Sequence, residues 1–363
     1  AYTHRATEEG RDNRPLVREI LAGRRELARV LGYRDFADYQ LEDRMAGSGA
    51  VALDFVRDLE RRTRPHFELE VAELEDYARG TLGYDRLEPW DVAFVMERLR
   101  KERYELDPEE LRPYFALDAV LDGLFEIARR VFGVRVTERQ GVPAWHPDVR
   151  FFEIHDEEGT HLGSFYADFF PREEKRGGAW MDDLITGGPR PDGFAPHLAL
   201  IACNFTPPQG ETPALLTHDE VQTLFHEFGH CLHHCLSRVE IPARAGTSVA
   251  WDFVELPSQI LENWTWQREA LDLFARHYRT GEPLPARLFE RLHATRTFMG
   301  AYQQMRQLSF GIVDLELHTR FDPEGDIDPI AFGTDVLRPF AIRPDAANGM
   351  TLASFTHIFS GGY

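Results

Sequence analysis

The spacing of apolar residues changes twice along this chain, and that change constrains the fold more than any other feature of the sequence. Up to about residue 140, apolar residues recur three and four positions apart, as in PLVREILAGRRELARVLG and LDAVLDGLFEIARRVFG, which is typical of amphipathic helices. From Trp145 the period falls to two in VRFFEI and LGSFYADFF, which flank Gly159 and predict a β-hairpin. HLALIACNF predicts a third strand, and helical spacing returns after Thr217, including a long stretch from Leu284 to about Arg320.

These patterns predict a mainly α fold with a small antiparallel β-sheet. We expect two regions in the chain, a helical region at residues 1–140 and a second region at residues 141–363. The parts of the second region, in order, are a small sheet at 145–205, helices at 217–268, and C-terminal helices with a loop at 284–363.

Composition excludes several classes of protein. Hydrophobic residues make up 43% of the 363 residues, which is enough for a sizeable core, and no run of about eighteen apolar residues predicts a membrane span. The first thirty residues contain no apolar secretory core, so we expect a cytoplasmic protein. A net charge of −20 would repel nucleic acid and anionic membranes, and neither is an expected partner.

Two smaller features add to this description. Cys203, Cys231 and Cys235 are too few for a disulfide framework, and we expect them to be small buried apolar residues. The chain begins without Met and stops at GGY, so we expect it to be a piece of a longer protein.

The segment HEFGH, from His226 to His230, is the strongest chemical signal in the sequence. Thr217 and Glu220 have the spacing of a capping box, which starts a helix nine residues before His226. Two histidines at i and i+4 then lie on one helix face, where both imidazoles reach one Zn²⁺. Glu227 between them is placed to act as general base toward a water.

A catalytic zinc normally takes a third protein ligand, and the sequence offers several sources. A metzincin would have Gly and His where this chain has His233 and Leu236, which excludes that class. His233 and His234 lie roughly 10–12 Å along the helix axis from His226, too far to share its ion, and we expect both to have a structural or surface role.

The remaining source is a carboxylate in WDFVELPSQILENW, which contains Asp252, Glu255 and Glu262. Glu255 and Glu262 are two turns apart on one helix face, so either is a candidate ligand and the other a partner that orients a histidine ring. Alternatively, Glu255 closes a capping box with Asp252. Spacing alone leaves this choice open.

At these residues the sequence resembles the thimet oligopeptidase family of zinc metallopeptidases, and within it the bacterial members. The resemblance runs through the C-terminal two-thirds of the chain, and the helical opening is similar in style. The matching stretches are WHPDVRFFE, GSFYADFF, KRGGAWMDD, THDEVQTLFHEFGHCLHH, VELPSQILENW and FTHIFSGGY.

The resemblance implies a zincin-like catalytic region in residues 141–363 and a channel wall formed in part by residues 1–140. It implies that His226, His230 and Glu255 bind one Zn²⁺ per chain and that Glu227 activates water. His357 and Tyr363 resemble the family's His and Tyr that contact substrate and stabilise the oxyanion. The list of implied site residues is thus His226, Glu227, His230, Glu255, His357 and Tyr363.

The implied activity is cleavage of internal bonds in short peptides by a monomer. Two alternatives stay open, a dipeptidyl carboxypeptidase of the same chemistry and a non-catalytic peptide-binding module. HLALIACNF is a candidate edge strand for pairing with an extended peptide, or else a buried strand of the sheet. Asp182 and Asp183 in KRGGAWMDD are not expected to be catalytic. Family members also have a helical region before residue 1 and a tyrosine-rich segment after GGY.

Overall fold

Helices carry most of the chain, and the sheet is confined to one stretch between residues 135 and 202. The computed structural model describes residues 6–360. The predicted mainly α class with a small sheet is therefore confirmed at that level. None of the helices in this described part is both long and apolar enough to span a bilayer.

The helices and the strands are numbered separately, each in chain order. The α-helices of the described chain are α1 (Arg14–Leu31), α2 (Phe36–Leu41), α3 (Gly49–Gly80), α4 (Val92–Tyr104), α5 (Leu117–Phe132), α6 (His218–Cys235), α7 (Leu256–Glu262), α8 (Arg268–Phe274), α9 (Ala286–Ala294), α10 (Gly300–Thr319), α11 (Pro329–Leu337) and α12 (Thr351–Ser354). The β-strands, which all lie between α5 and α6, are β1 (Arg135–Glu138), β2 (Arg150–His155), β3 (His161–Asp168), β4 (Trp180–Ile185), β5 (Gly188–Arg190), β6 (Gly193–Ala195) and β7 (His197–Ala202).

The chain forms two compact units, and the first is discontinuous in sequence. It contains the residues up to Tyr104 together with those from Thr295 onward, and its main packing is between α3 and α10. The segments GAVALDFVRDLERRT and PHFELEVAELEDYARGTLG each have helical spacing and predict two helices with Pro65 at the break, but α3 runs through that residue. Both halves of α3 pack apolar side chains against α10, as Phe67 does against Met305 and Leu308, and this burial offsets the backbone hydrogen bond that proline cannot make.

The predicted stretch from Leu284 to about Arg320 is divided into α9 and α10. Met299, at the N-cap of α10, has a left-handed backbone with φ of 52°, which no α-helix can continue through. The break lies close to Thr295, where the chain passes from the second unit back into the first. The apolar residues have helical spacing on both sides of Met299, so the sequence does not indicate the break between α9 and α10.

The second unit, Glu105–Ala294, contains the sheet, whose strand order is β1-β2-β3-β7-β4. The predicted hairpin of β2 and β3 is present, with Gly159 at a φ of +86° in its turn. The prediction of an antiparallel sheet is wrong at one pair, because β3 and β7 run parallel. The chain leaves β3, forms the edge strand β4 and the small hairpin of β5 and β6, and then returns to insert β7 between β3 and β4.

Of the two alternatives for HLALIACNF, an edge strand or a buried strand of the sheet, the structure has the buried strand. The strand in that segment, β7, is hydrogen-bonded to β3 on one side and β4 on the other, so β4 is the edge strand at this end of the sheet and β1 at the other. β7 is an alternating strand with four buried residues, whereas Asp182, Asp183, Leu184 and Ile185 of β4 are exposed. A strand with carboxylates and aliphatic residues side by side has no clear alternation of apolar and polar residues, so the sequence does not indicate a strand there.

Helix α5 lies in the second unit, which begins at Glu105. Helix α5 belongs with the sheet because Phe125 contacts the rings of Phe152 and Phe165 at centroid distances of 5.3 and 6.5 Å. Helix α6 covers the same face of the sheet, where Phe228 lies 5.8 Å from Phe165. This aromatic core fixes α6 on the sheet. Cys203, Cys231 and Cys235 are buried free cysteines, as predicted.

Candidate metal centre

Helix α6 begins as the sequence predicts. The Thr217 hydroxyl accepts a hydrogen bond from the Glu220 amide, and the Glu220 carboxylate accepts one from the Thr217 amide, so both bonds of the capping box are present. One face of the helix, including Val221, Phe225 and Phe228, is buried. His226 and His230 are only half-buried and lie one turn apart, with ring centroids separated by 4.9 Å.

Helix α7 brings a carboxylate to both of these histidines. Glu255 Oε2 lies 3.0 Å from Nε2 of His226 and 3.1 Å from Nε2 of His230. The three candidate ligand atoms all lie within 4.8 Å of one another. Across residues 6–360, no second group of three His, Cys, Asp or Glu side chains meets the same criterion.

The two glutamates of this segment occupy different positions. Glu255 is the residue immediately before α7, so it cannot also lie three residues inside a helix capped by Asp252, as the alternative capping box requires. Glu262, at the end of α7, lies with Oε1 2.7 Å from Nδ1 of His226. Glu255 therefore faces the Nε2 atoms of His226 and His230, whereas Glu262 contacts Nδ1 on the other side of the His226 ring.

The protonation pattern of this cluster favours a cation. A carboxylate only accepts hydrogen bonds, so Nδ1 of His226 donates to Glu262, and in the neutral ring the lone pair is then on Nε2. That lone pair faces the Glu255 carboxylate at 3.0 Å. Two electron-rich atoms this close need a proton or a metal ion near them, and two imidazoles with one carboxylate form a ligand set that suits Zn²⁺.

The surroundings change the pKa values of the two histidines in opposite directions. Burial lowers the pKa of His226, but the hydrogen bond to Glu262 and the charges of Glu227 and Glu255 outweigh it and raise that pKa overall. For His230, burial outweighs the charge of Glu255 and lowers the pKa. A neutral His230 has a free lone pair for a metal at neutral pH.

Glu227 lies beside the same cluster and is buried, with 6% of its surface exposed. Burial raises the pKa of its carboxyl to about 7, an effect that the His226 ring opposes and the Glu255 charge reinforces. The backbone N–H of Met181, in β4, donates a hydrogen bond to this carboxyl. A carboxyl group with a pKa near neutrality can both accept and release a proton under ordinary conditions.

Two positions that support this arrangement are not predicted from the sequence. The hydroxyl of Ser258, which is fully buried, lies 2.8 Å from both Glu255 Oε2 and the Glu255 backbone carbonyl oxygen, the two acceptors for its one proton. Gly229, inside α6, allows α7 to approach closely, since a Cβ there would lie 2.6 Å from the Ser258 Cα. A glycine inside a helix is a signal for such an approach, whereas nothing in the sequence distinguishes Ser258.

The other predicted residues are His357, Tyr363, Asp182, Asp183 and His234. His357 belongs to the first unit, is exposed and contacts the ring of Phe355 at a centroid distance of 5.3 Å. Tyr363 lies outside the described residues. Asp182 and Asp183 are exposed on β4, and His234 is fully buried.

Comparison with known proteins gives consistent results. The sequence profile of peptidase family M3 matches residues 1–363. The chain is 44% identical over 370 residues to oligopeptidase A of Salmonella typhimurium (strain LT2), a match that covers 100% of this chain and 54% of the relative. Oligopeptidase A of Escherichia coli (strain K12) is likewise 44% identical, with the same coverage. Dipeptidyl carboxypeptidase of Escherichia coli (strain K12) is 34% identical over 375 residues, covering 100% of this chain and 53% of the relative.

These matches confirm the resemblance predicted from the sequence. They extend over the whole chain, beyond the C-terminal two-thirds that the quoted stretches cover. The chain spans about half the length of the curated relatives it matches.

Proposed function

The chain belongs to peptidase family M3, and from this premise we propose that it carries the catalytic centre of a zinc-dependent endopeptidase that hydrolyses internal bonds of short peptides. The observation that carries the proposal is the convergence of His226 Nε2, His230 Nε2 and Glu255 Oε2 beside the buried carboxyl of Glu227. We assign one Zn²⁺ per chain to these three residues, in a zincin-like catalytic region within residues 141–363.

Two residues outside the ligand set, Glu262 and Ser258, contact the ligands and orient them. Glu262 keeps the Nδ1–H tautomer of His226, so that Nε2 is free to bind. Ser258 orients the carboxylate of Glu255 in the same way. When bound, zinc supplies a Lewis acid that polarises a carbonyl oxygen and makes water acidic enough to lose a proton near neutral pH.

Glu227 moves the protons of the reaction. Its carboxylate accepts a proton from the attacking water and then gives that proton to the amine that leaves when the peptide bond breaks. Burial disfavours the charged form of this carboxyl group, so it accepts a proton more readily than an exposed glutamate does. The N–H of Met181 holds one side of the carboxyl in place.

The edge strand β4 is the surface that we assign to the substrate. Its outer side has no strand paired to it in the described sheet, and its Met181 amide reaches Glu227. An extended peptide that pairs with this edge is held through its backbone, which accommodates many sequences. From the family resemblance we further propose that His357 and Tyr363 stabilise the oxyanion and that residues 1–140 form part of a channel wall.

The proposed setting is the cytoplasm, where the protein acts as a monomer on short peptides. The net charge of −20 argues against nucleic acid and anionic membranes as partners.

Zinc content is the first test, because it requires no complete substrate channel. We expect about one zinc per chain after metal stripping, reloading and dialysis, and loss of that zinc in Glu255→Ala. The control is Glu269→Ala, an exposed glutamate in α8. Absence of zinc above background in the unmodified chain would support the peptide-binding module instead.

Glu227→Gln separates metal binding from catalysis. The variant keeps zinc, because Glu227 is not a ligand, and loses peptidase activity by a factor of about 10² to 10⁴, the usual contribution of a general base. The measurement pairs metal analysis with cleavage of a fluorogenic peptide. Equal loss of zinc and activity would overturn the role of Glu227.

The relative named dipeptidyl carboxypeptidase motivates a second candidate activity of the same chemistry. The two activities differ in whether the C-terminal carboxylate of the substrate is required. One peptide with a free C-terminus and the same peptide amidated separate them. Cleavage of both at internal bonds supports the endopeptidase, and release of dipeptides from the free form alone supports the carboxypeptidase.

A further inference from the structure

Two buried imidazoles lie at the far end of β4, outside the metal centre. His234 of α6 is fully buried, and His197 at the start of β7 is 1% exposed. Their rings meet edge to face at a centroid distance of 4.8 Å. Neither has a role in the mechanism described above.

Both rings hold the segment in which β4 ends. Nε2 of His234 donates to the backbone carbonyl of Ile185 at 3.2 Å. Nδ1 of His197 accepts the Gly187 N–H at 3.0 Å, and its Nε2 donates to the carbonyl of Ser237, just after α6, at 3.0 Å. Burial lowers the pKa of His197, which keeps the ring in the neutral form that this pattern requires.

The strand needs such anchors at this point. Its register against β7 shifts between Asp183 and Ile185, so the regular ladder is interrupted before the strand ends. Beyond it, Gly187 is packed so closely that a Cβ there would lie 2.1 Å from the Ala195 carbonyl oxygen. An edge strand has neighbours on one side only, and an interrupted ladder weakens even that attachment.

Packing alone does not explain a histidine at position 234. Its Nδ1 is buried without a hydrogen-bond partner, and Gly246 lies against it so tightly that a Cβ there would be 2.4 Å from Nδ1. An aliphatic side chain would fill the space without burying an unpaired nitrogen. What the imidazole adds is the N–H that reaches Ile185.

Helix α6 therefore contacts β4 at two places. Glu227 receives the Met181 N–H near the start of the strand, and His234 binds the Ile185 carbonyl at its end. We propose that His234, supported by His197, is a positioning residue that holds edge strand β4 at a fixed position along α6. A peptide paired with β4 then lies at a fixed register relative to Glu227. The peptide part of this inference rests on the proposed function, whereas the tie between α6 and β4 does not.

The test uses the full chain and three variants of buried histidines. His234→Leu removes the donor and keeps an apolar side chain of similar size, and His234→Gln retains an N–H that can reach Ile185. His218→Leu is the matched control, because His218 is also a buried residue of α6 whose Nε2 contacts a backbone carbonyl, that of Thr265, at 3.0 Å. Thermal unfolding of each variant gives its global stability.

The first readout is amide hydrogen exchange under native conditions. We expect exchange of the amides at residues 180–187 to be at least about tenfold faster in His234→Leu, and restored to within about twofold in His234→Gln. In His218→Leu these amides should exchange as in the unmodified chain, after correction for global stability. Unchanged exchange in His234→Leu, or equal acceleration in His218→Leu, would overturn the positioning role.

The second readout is peptide cleavage. His234→Leu should keep one zinc per chain. Its KM should rise about five- to twentyfold while kcat stays within about threefold, because the substitution weakens peptide binding along β4 and leaves the residues that act on the peptide bond in place. His234→Gln should restore the KM. If the chain holds no zinc and cleaves nothing while His234→Leu still loosens β4, then the proposed function is wrong and the tie between α6 and β4 stands.

Discussion

The orientation of a single ring determines whether His226 can serve as a ligand. Its Nδ1 lies 2.7 Å from Glu262, which leaves Nε2 directed toward Glu255. Removal of the partner that fixes a ligand typically lowers metal affinity by about 10- to 100-fold. We expect this loss in Glu262→Ala, measured by competition with a chromophoric chelator, and no change in Glu269→Ala. An unaltered affinity in Glu262→Ala would show that the ring is held by other contacts.

Asp168, at the end of β3, has its pKa set by competing effects. Burial raises the pKa, but hydrogen bonds from Arg172, Lys175 and Trp145 lower it to about 2. Because the pKa is lower in the folded than in the unfolded protein, the ionised group stabilises the fold above about pH 4, and this contribution is lost as the pH falls toward 2. The shift corresponds to about 2 kcal/mol of stability at neutral pH.

Asp168→Asn tests that balance. At pH 7 we expect a loss of about 3 kcal/mol in the free energy of unfolding, because the buried ammonium of Lys175 is left without its charged partner. The difference from the unmodified chain should narrow as the pH is lowered from 4 toward 2, as measured by urea unfolding. Asp76→Asn, which removes an exposed ion pair with Arg79, should cost less than about 1 kcal/mol at pH 7.

The predictability of the site from sequence differs from residue to residue. His226, Glu227 and His230 follow from the helical period, since one turn of α6 brings the two rings together. Glu255 and Glu262 could not be assigned by spacing, because both lie on one face and their roles depend on how α7 packs against α6. The N–H of Met181 could not be predicted at all, since it depends on which strand forms the edge.

At the scale of the elements, the contact between α6 and α7 decides where Glu255 lies. Gly229→Ala would place a Cβ 2.6 Å from the Ser258 Cα and 2.8 Å from the Pro257 carbonyl oxygen, and backbone atoms cannot move aside as a flexible side chain can. We expect a loss of about 1–3 kcal/mol in stability and a fall in zinc affinity of about tenfold or more, as the helices separate.

The matched control is Gly23→Ala in α1. Gly23 is exposed within the helix, has open space around its Cα, and should gain about 0.5–1 kcal/mol on substitution. Denaturant unfolding and chelator competition measure both quantities. A Gly229→Ala variant with normal stability and zinc affinity would mean that α7 does not depend on this close approach.

The elements that the sequence predicts well are those determined by local interactions. The capping box at Thr217 and the hairpin around Gly159 lie in short segments, and both are present. The elements that it misses depend on distant partners. The insertion of β7 between β3 and β4 needs a chain that returns after β6, and the continuity of α3 through Pro65 needs α10, more than two hundred residues later.

At the scale of the whole molecule, metal binding and stability are linked. A ligand that binds only the folded protein stabilises it by about 4 kcal/mol at a concentration 1,000 times its Kd. For a unit the size of Glu105–Ala294 this corresponds to a rise in Tm of about 10 °C. Thermal scans with zinc and with a chelator should differ by this amount, and scans of Glu255→Ala should coincide. If the scans of the unmodified chain with zinc and with the chelator coincide, that result would argue against a metal bound by the folded protein.

The discontinuous first unit has a consequence for synthesis on the ribosome. Helix α3 ends at Gly80 and its packing partner α10 begins at Gly300, so the ribosome adds about 220 residues between them. At a synthesis rate of roughly 5–20 residues per second, the apolar side of α3 remains without α10 for on the order of ten to forty seconds. In that interval Glu105–Ala294 is completed as one uninterrupted length of chain and can fold first. During that interval the apolar side of α3 is open to aggregation, and a chaperone that binds apolar surface would act on it.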